Sequence, residues 1–170
     1  MSIYPKYYCN NITEITTGFL KDNHIEALIL DVDNTLLDID LNIVDGLEEW
    51  YKDIKASGIK AIIVSNSNKL HKIKKVADLL DIEYISFAMK PMKKGLRKAQ
   101  EKLNISPNNI AVIGDQIFTD VVGANRCNMF SILVKPLAEK DLWLTKFKRP
   151  LERAVLKRYK KKIKGIKNVF

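Results

Sequence analysis

The sequence predicts an α/β fold: a doubly wound, Rossmann-like parallel sheet in three layers, with helices on both faces. Three observations carry the prediction. Short apolar, β-rich runs alternate with longer segments of helical periodicity along 170 residues. Several of the runs end in an acidic or polar residue, where the strands of such a sheet open onto a crevice. The hydrophobic fraction, 46%, suffices for a core and is too high for a disordered chain.

The elements follow in order. An opening helix is expected over 12–22, with Asn11 three residues ahead of Glu14 in capping-box spacing and Ile12, Ile15, Phe19 and Leu20 on one face. ALIL (27–30) reads as a buried strand, and a helix over about 43–57 stops at Gly58. KAIIVS (60–65) is a strand, about 68–80 a helix, YISF (84–87) a short strand and about 92–103 a helix. NIAVIG (109–114) is a strand, about 119–126 a helix, and MFSILV (129–134) the last strand. A terminal helix is expected over about 149–168, with Pro150 near its first turn. Its apolar stripe would hold Leu151, Val155, Tyr159 and Ile163. Residues 1–145 are read as one domain and 146–170 as a basic helix packed on it or extending from it.

Composition narrows the function classes. No stretch approaches the ~20 apolar residues of a membrane span. MSIYPKYYCNN has no basic segment leading into an apolar run, so a secretory signal is not expected. Cys9 and Cys127 lack metal-ligand spacing and read as reduced thiols of a cytoplasmic protein. The net charge of +9 is uneven. Residues 146–170 hold eleven Lys or Arg against one acid, Glu152, whereas 1–145 hold 18 basic and 19 acidic side chains. Such a segment suits an anionic membrane at its inner face or RNA phosphates. Tyr4, Tyr7, Tyr8, Trp143 and Phe147 are candidates for a membrane interface or for the core.

The predicted strand ends carry the chemistry. The first ends in Asp31 and Asp33, the second in Ser65 and Asn66; Lys90 follows the third, and GDQIFTD gives Gly114, Asp115 and Asp120 after the fourth. Carboxylates at this spacing suit Mg²⁺, with Asp31, Asp115 and the backbone carbonyl of Asp33 as oxygen donors. One carboxylate can attack phosphorus, and a second, two residues on, can move protons. A hydroxyl and an ammonium, Ser65 and Lys90, can hold phosphate oxygens. A calcium loop does not fit, because its sixth position is Leu36 rather than Gly and its twelfth Asn42 rather than Glu. Asn34 and Thr35 read as loop-shaping residues.

DVDNT, the Ser-Asn, the Lys-Pro and GDQIFTD together resemble, in order, the four motifs of the haloacid dehalogenase (HAD) superfamily of phosphohydrolases. The whole chain is similar to the YqeG-type branch, subclass IIIA, which itself resembles mitochondrial phosphatidylglycerophosphate phosphatases. The resemblance implies Asp31 as nucleophile and Asp33 as general acid/base. It implies Ser65 and Lys90, with neighbouring Asn66, at the substrate phosphate. Asp31, Asp33, Asp115 and Asp120 would serve Mg²⁺, and the substrate would be a phosphorylated compound such as a lipid head group. From Asp33 to Ser65 is 32 residues and from Ser65 to Lys90 is 25, too few for a cap domain in either interval. An open site with a small flap around 36–44 is therefore expected.

Overall fold

The computed structural model describes residues 2–138 and 148–167, including the side chains of 150–161 in the second stretch. The strands are β1 (Tyr7–Cys9), β2 (Ala27–Leu30), β3 (Lys60–Val64), β4 (Tyr84–Ile85), β5 (Ile110–Gly114) and β6 (Phe130–Val134). They form one parallel sheet in the order β1-β6-β5-β2-β3-β4. The helices are α1 (Thr17–Asp22), α2 (Leu47–Ala56), α3 (Leu70–Leu80), α4 (Lys93–Leu103), α5 (Val122–Arg126) and α6 (Lys148–Lys167).

The central strands are apolar on both sides because both faces are covered. Leu28, Leu30, Ile63, Ile113 and Ile132 face a core shared with Leu20, Trp50, Ile54, Ile73 and Leu80 of α1–α3. Ala27, Ile29, Ile62 and Val112 face Leu96, Ala99 and Ala124 of α4 and α5 on the opposite side. Burying each Leu or Ile contributes about 1.5–3 kcal/mol, so this two-sided packing fixes the sheet firmly. Leu30 pairs with Ile63 and with Ile113, which delivers Asp31, Ser65 and Asp115 to one edge. The chain runs from β2 outward to β3 and β4, then returns to β5 beside β2. That reversal of order is where a crevice opens.

Several expectations need correction. β1 is an added edge strand, pairing Tyr7 with Ile132 and Cys9 with Val134. Three residues carry too little periodicity to show it. The opening helix is broken: a 3₁₀ turn at Ile12–Glu14 precedes α1, and Ile15 between them is extended. The Ile15 carbonyl accepts a 2.7 Å bond from Trp50 Nε1, and Thr16 starts α1 by accepting from Phe19 N. Glu14 reaches the Asn10 amide rather than that of Asn11. α2 begins at Leu47 because the preceding residues form the flap, closed by a Leu37–Ile43 bridge. β4 stops at Ile85, and Phe87 is left-handed at φ 50°.

α6 is turned relative to its predicted stripe. Leu151 is 61% exposed, and the face toward the body carries Glu152, Val155, Leu156 and Tyr159. Leu156 and the buried Glu152 lie outside a stripe chosen from apolar residues four apart. Tyr159 stacks on Tyr4, and Lys160 lies 4.7 Å over the Tyr8 ring. Tyr7 packs on Phe19. Tyr4, Tyr7 and Tyr8 are thus used in packing, while Trp143 and Phe147 lie outside the described residues, as does the Ile163 side chain. Lys157, Arg158, Lys160 and Lys161 face solvent. Cys9 and Cys127 are both free thiols.

Candidate active site

The crevice is built from residues that immediately follow the strands. Asp31 continues the ladder by donating its amide to Ile113 O at 2.9 Å, and Ser65 does the same to Ile85 O at 3.0 Å. These backbone bonds fix where both side chains leave the sheet. The chain then folds back at once: the amides of Thr35, Leu36 and Leu37 all donate to Val32 O. Val32, Leu36 and Leu37 are fully buried, so the loop after Asp31 is anchored in the core. Asn34 turns this loop in the left-handed region at φ 60°, a conformation Asn tolerates better than most residues.

Lys90 sits at the centre. Its ammonium is 2.7 Å from Asp31 Oδ1 and 2.7 Å from Asp120 Oδ1, with its side chain almost wholly buried. Asp31, Asp115 and Asp120 each present an oxygen within 4.8 Å of the others, and all three are buried. Burial pushes the Asp31 carboxyl up to about 7; Lys90 opposes this and the neighbouring Asp120 adds to it. Burial alone would lower the Lys90 ammonium, but the carboxylates of Asp120 and Asp31 outweigh it and hold its pKa raised.

The supports are specific. Asn66 clamps the Lys90 backbone in both directions, Nδ2 donating to Lys90 O at 2.9 Å and Oδ1 accepting from Lys90 N at 2.6 Å. Asn66, expected at the phosphate, thus also places Lys90, whose bond to Pro91 is cis. Ser65 Oγ accepts from Ser67 N. Thr35 Oγ1 is 3.4 Å from Asp31 Oδ2, so this loop-shaping residue also touches the site. Asp33 stands at the rim, its side chain 41% exposed, and pairs with Lys72 at 3.0 Å. Asp120 Oδ2 accepts from Gln116 N and Thr119 Oγ1, both at 3.2 Å.

Gly114 explains how Asp120 fits. A Cβ at 114 would lie 2.3 Å from Asp120 Cγ, so the carboxylate occupies the space a side chain would fill. Glycine immediately before Asp115 is a sequence signal for such a close approach. Lys72 and Glu152 had no local signal, since each meets its partner across more than thirty residues. A cavity of ≈ 220 Å³ adjoins Asp115, bounded by Tyr8, Leu133, Lys135, Glu152 and Leu156. Between Asp33 and Ser65 the chain holds the flap, α2 and β3; between Ser65 and Lys90 it holds α3 and β4. Neither interval holds a cap domain.

The geometry has counterparts. Residues 39–128 match the family model described as haloacid dehalogenase-like hydrolase, a stretch that includes Ser65, Lys90, Asp115 and Asp120. The chain is 39% identical over 159 residues to the Bacillus subtilis (strain 168) protein named Probable phosphatase YqeG, covering 93% of this chain and 92% of that one. Among solved structures, an uncharacterized protein from Listeria monocytogenes serotype 4b superposes with a TM-score of 0.56 at 19% identity, over 69% of this chain and 85% of that one. The cobalt-bound deoxy-D-mannose-octulosonate 8-phosphate phosphatase of Haemophilus influenzae does so at 0.51 and 17% identity, over 72% and 74%. At such identities these two structures support the fold.

Proposed function

Since the chain belongs to the haloacid dehalogenase-like hydrolases, we propose that it is a Mg²⁺-dependent phosphomonoester hydrolase working through an aspartyl-phosphate on Asp31. The observation that carries this reading is the buried cluster of Asp31, Lys90, Asp115 and Asp120 at the ends of the central strands. The B. subtilis relative, named a phosphatase, supports the reaction class.

The donor set fits the metal. Three carboxylates within 4.8 Å offer oxygen only, which suits a hard cation and not one that favours nitrogen or sulfur. Asp31, Asp115 and Asp120 would hold it, with the backbone carbonyl of Asp33. When bound, Mg²⁺ would offset the repulsion among these acids and withdraw charge from the phosphoryl oxygens.

The residues then divide the work. An Asp31 carboxylate oxygen attacks phosphorus while the bond from phosphorus to the alcohol oxygen breaks. Asp33, at the solvent rim, gives its proton to the departing alcohol. Asp33 next takes a proton from water as that water attacks phosphorus. The bond to Asp31 breaks, phosphate leaves, and both acids return to their starting state. Lys90 and Ser65 hold the equatorial oxygens. Asn66 and Thr35 keep Lys90 and Asp31 in place.

In this reading residues 1–145 carry the hydrolase and 146–170 a surface-binding element. The lack of a cap domain in the Asp33–Ser65 and Ser65–Lys90 intervals suits a phosphate presented on something large, and the exposed basic face of α6 suits an anionic surface. We propose phosphatidylglycerophosphate at the inner face of the membrane, giving phosphatidylglycerol and phosphate, for a cytoplasmic protein bound peripherally. Among the described residues no helix is long and apolar enough to cross a membrane. The same basic face also favours an RNA- or ribosome-associated factor with a secondary phosphatase site, or hydrolysis of another phosphomonoester.

The test is Mg²⁺-dependent phosphate release from a panel, with Asp31→Asn as blank. The panel holds phosphatidylglycerophosphate in anionic vesicles, sugar and nucleotide monophosphates, a phosphorylated RNA end and a phosphopeptide. Preference for the lipid is expected. Turnover of another member replaces the substrate, and no release above the blank on any of them overturns the hydrolase reading.

A further inference from the structure

The chain from Gln116 to Val121 carries Asp120 and directly follows Asp115, so its backbone sets the spacing between two of the three clustered carboxylates. It is wound as a π-helical turn, Ile117–Val121, that runs on into α5. A helical start leaves amide N–H groups that need acceptors, ordinarily supplied by the N-cap side chain. Here the N-cap is Gln116, whose side chain makes no capping bond. Asp115, one residue earlier, turns its carboxylate to the cluster. The turn thus places one acid where the chemistry needs it and leaves its own first amides without a local cap.

The acceptor comes from α6. Glu152 Oε1 accepts from Ile117 N at 2.9 Å and from Phe118 N at 3.4 Å. Glu152 is the single acid of the otherwise basic segment 146–170, and it is only 6% exposed. Beside it Val155 and Leu156 pack on the cluster of Ile117, Val121 and Leu133, so the helix is held against the turn by apolar contact as well. A carboxylate accepting backbone amides at a helix start gains from both the charge-assisted bonds and the local dipole.

We propose that Glu152 is a positioning residue for the metal cluster: α6 caps the Gln116–Val121 turn in trans and so fixes Asp120 relative to Asp115. The inference rests on the metal reading given above and assigns the C-terminal helix a role at the site that is separate from its basic outer face.

The test is Mn²⁺ binding to the purified full-length protein, followed by calorimetry, beside Mg²⁺-dependent hydrolysis. Four variants suffice. Glu152→Ala removes the acceptor. Glu152→Asp keeps the charge but is one methylene too short to reach both amides, and it stands in for Glu152→Ala should that variant not fold. Glu152→Gln keeps reach and an acceptor oxygen. Val155→Ala loosens the same helix without touching the cap. Glu152→Ala and Glu152→Asp are expected to raise the Mn²⁺ Kd about tenfold, the usual scale for a lost outer support of a metal site. Glu152→Gln and Val155→Ala should stay within about threefold of the unaltered protein. An unchanged Kd in folded Glu152→Ala or Glu152→Asp overturns the proposal. So does an equal loss in Val155→Ala, which would make helix docking in general the cause. Absence of Mn²⁺ binding by the unaltered protein overturns the metal reading itself, and this inference with it.

Discussion

The crevice at the strand ends and the outer face of α6 use the same side-chain chemistry under opposite conditions. In the crevice the Lys90 ammonium is buried between Asp31 and Asp120 at 2.7 Å from each. On α6, Lys157, Arg158, Lys160 and Lys161 stand in water. Water screens an exposed charge, so its partners matter little; the exposed Lys52–Glu48 pair is of the kind worth about 0.3–0.5 kcal/mol. A buried charge has lost that screening and depends on each neighbour. The crevice should therefore respond sharply to single substitutions, and the outer face of α6 only to several at once.

Asp31→Asn is the largest test. The neutral amide cannot act as nucleophile, so hydrolysis should fall by at least about a thousandfold with the fold retained. Phosphate release and a thermal melt check both halves, and substantial retained turnover removes Asp31 from the role proposed for it.

Lys90→Met asks whether the buried charges depend on one another. It leaves Asp31 and Asp120 without their shared cation and should cost about 3–5 kcal/mol in urea unfolding at neutral pH. A loss as small as that of an exposed lysine would break the contrast drawn here.

Gly114→Ala puts a methyl group into the space of the Asp120 carboxylate. It should cost about 1–3 kcal/mol and weaken metal binding, since Asp120 must move.

The pH dependence follows from Asp31. Its carboxyl is raised by burial from the ordinary 3.8 to about 7. The folded state then holds a proton that the unfolded chain has released. That contribution is complete below 3.8 and is lost as pH rises through about 7. In chelator, the unaltered protein should lose stability relative to Asp31→Asn between pH 5 and pH 8. A constant difference in Tm between the two proteins across that range would contradict the assignment.

The smallest effects belong to α6. Changing Lys157, Arg158 and Lys161 together to Gln should leave stability within about 0.5 kcal/mol per site and hydrolysis of a small soluble ester unchanged. Sedimentation with anionic vesicles should fall most at low salt, and the difference from the unaltered protein should shrink as salt rises. If vesicle binding survives while RNA binding is lost, the basic face belongs to the alternative partner.

The alternation of apolar runs with helical segments was enough to place β2, β3, β5 and β6 nearly to the residue, because strands buried on both faces are unbroken in hydrophobicity. It was not enough for β1, whose three residues become a strand by pairing with β6. That the candidate residues Asp31, Ser65 and Asp115 stand together at the strand ends was legible from spacing and order. Their supports were not: the bond of Thr35 to Asp31, the clamp of Asn66 on the Lys90 backbone and the pairing of Lys72 with Asp33 leave no local trace. In α6 the apolar spacing pointed to a stripe that included Leu151, and contact with Ile117, Val121 and Leu133 turned the helix to pack Leu156 and bury Glu152 instead.

By itself, the sequence determined the α/β fold class, the strand ends on which Asp31, Ser65 and Asp115 stand, and the confinement of excess positive charge to one segment. These are local or additive properties: a run of apolar residues, a residue after that run, a count of charges. Tertiary structure decided that Lys90 lies between Asp31 and Asp120, that Gly114 makes room for Asp120, and that Glu152 caps a turn 35 residues away in the chain. Such contacts join segments that carry no trace of one another in their local pattern, and they exist only once the sheet has packed and excluded the water that would otherwise screen those charges.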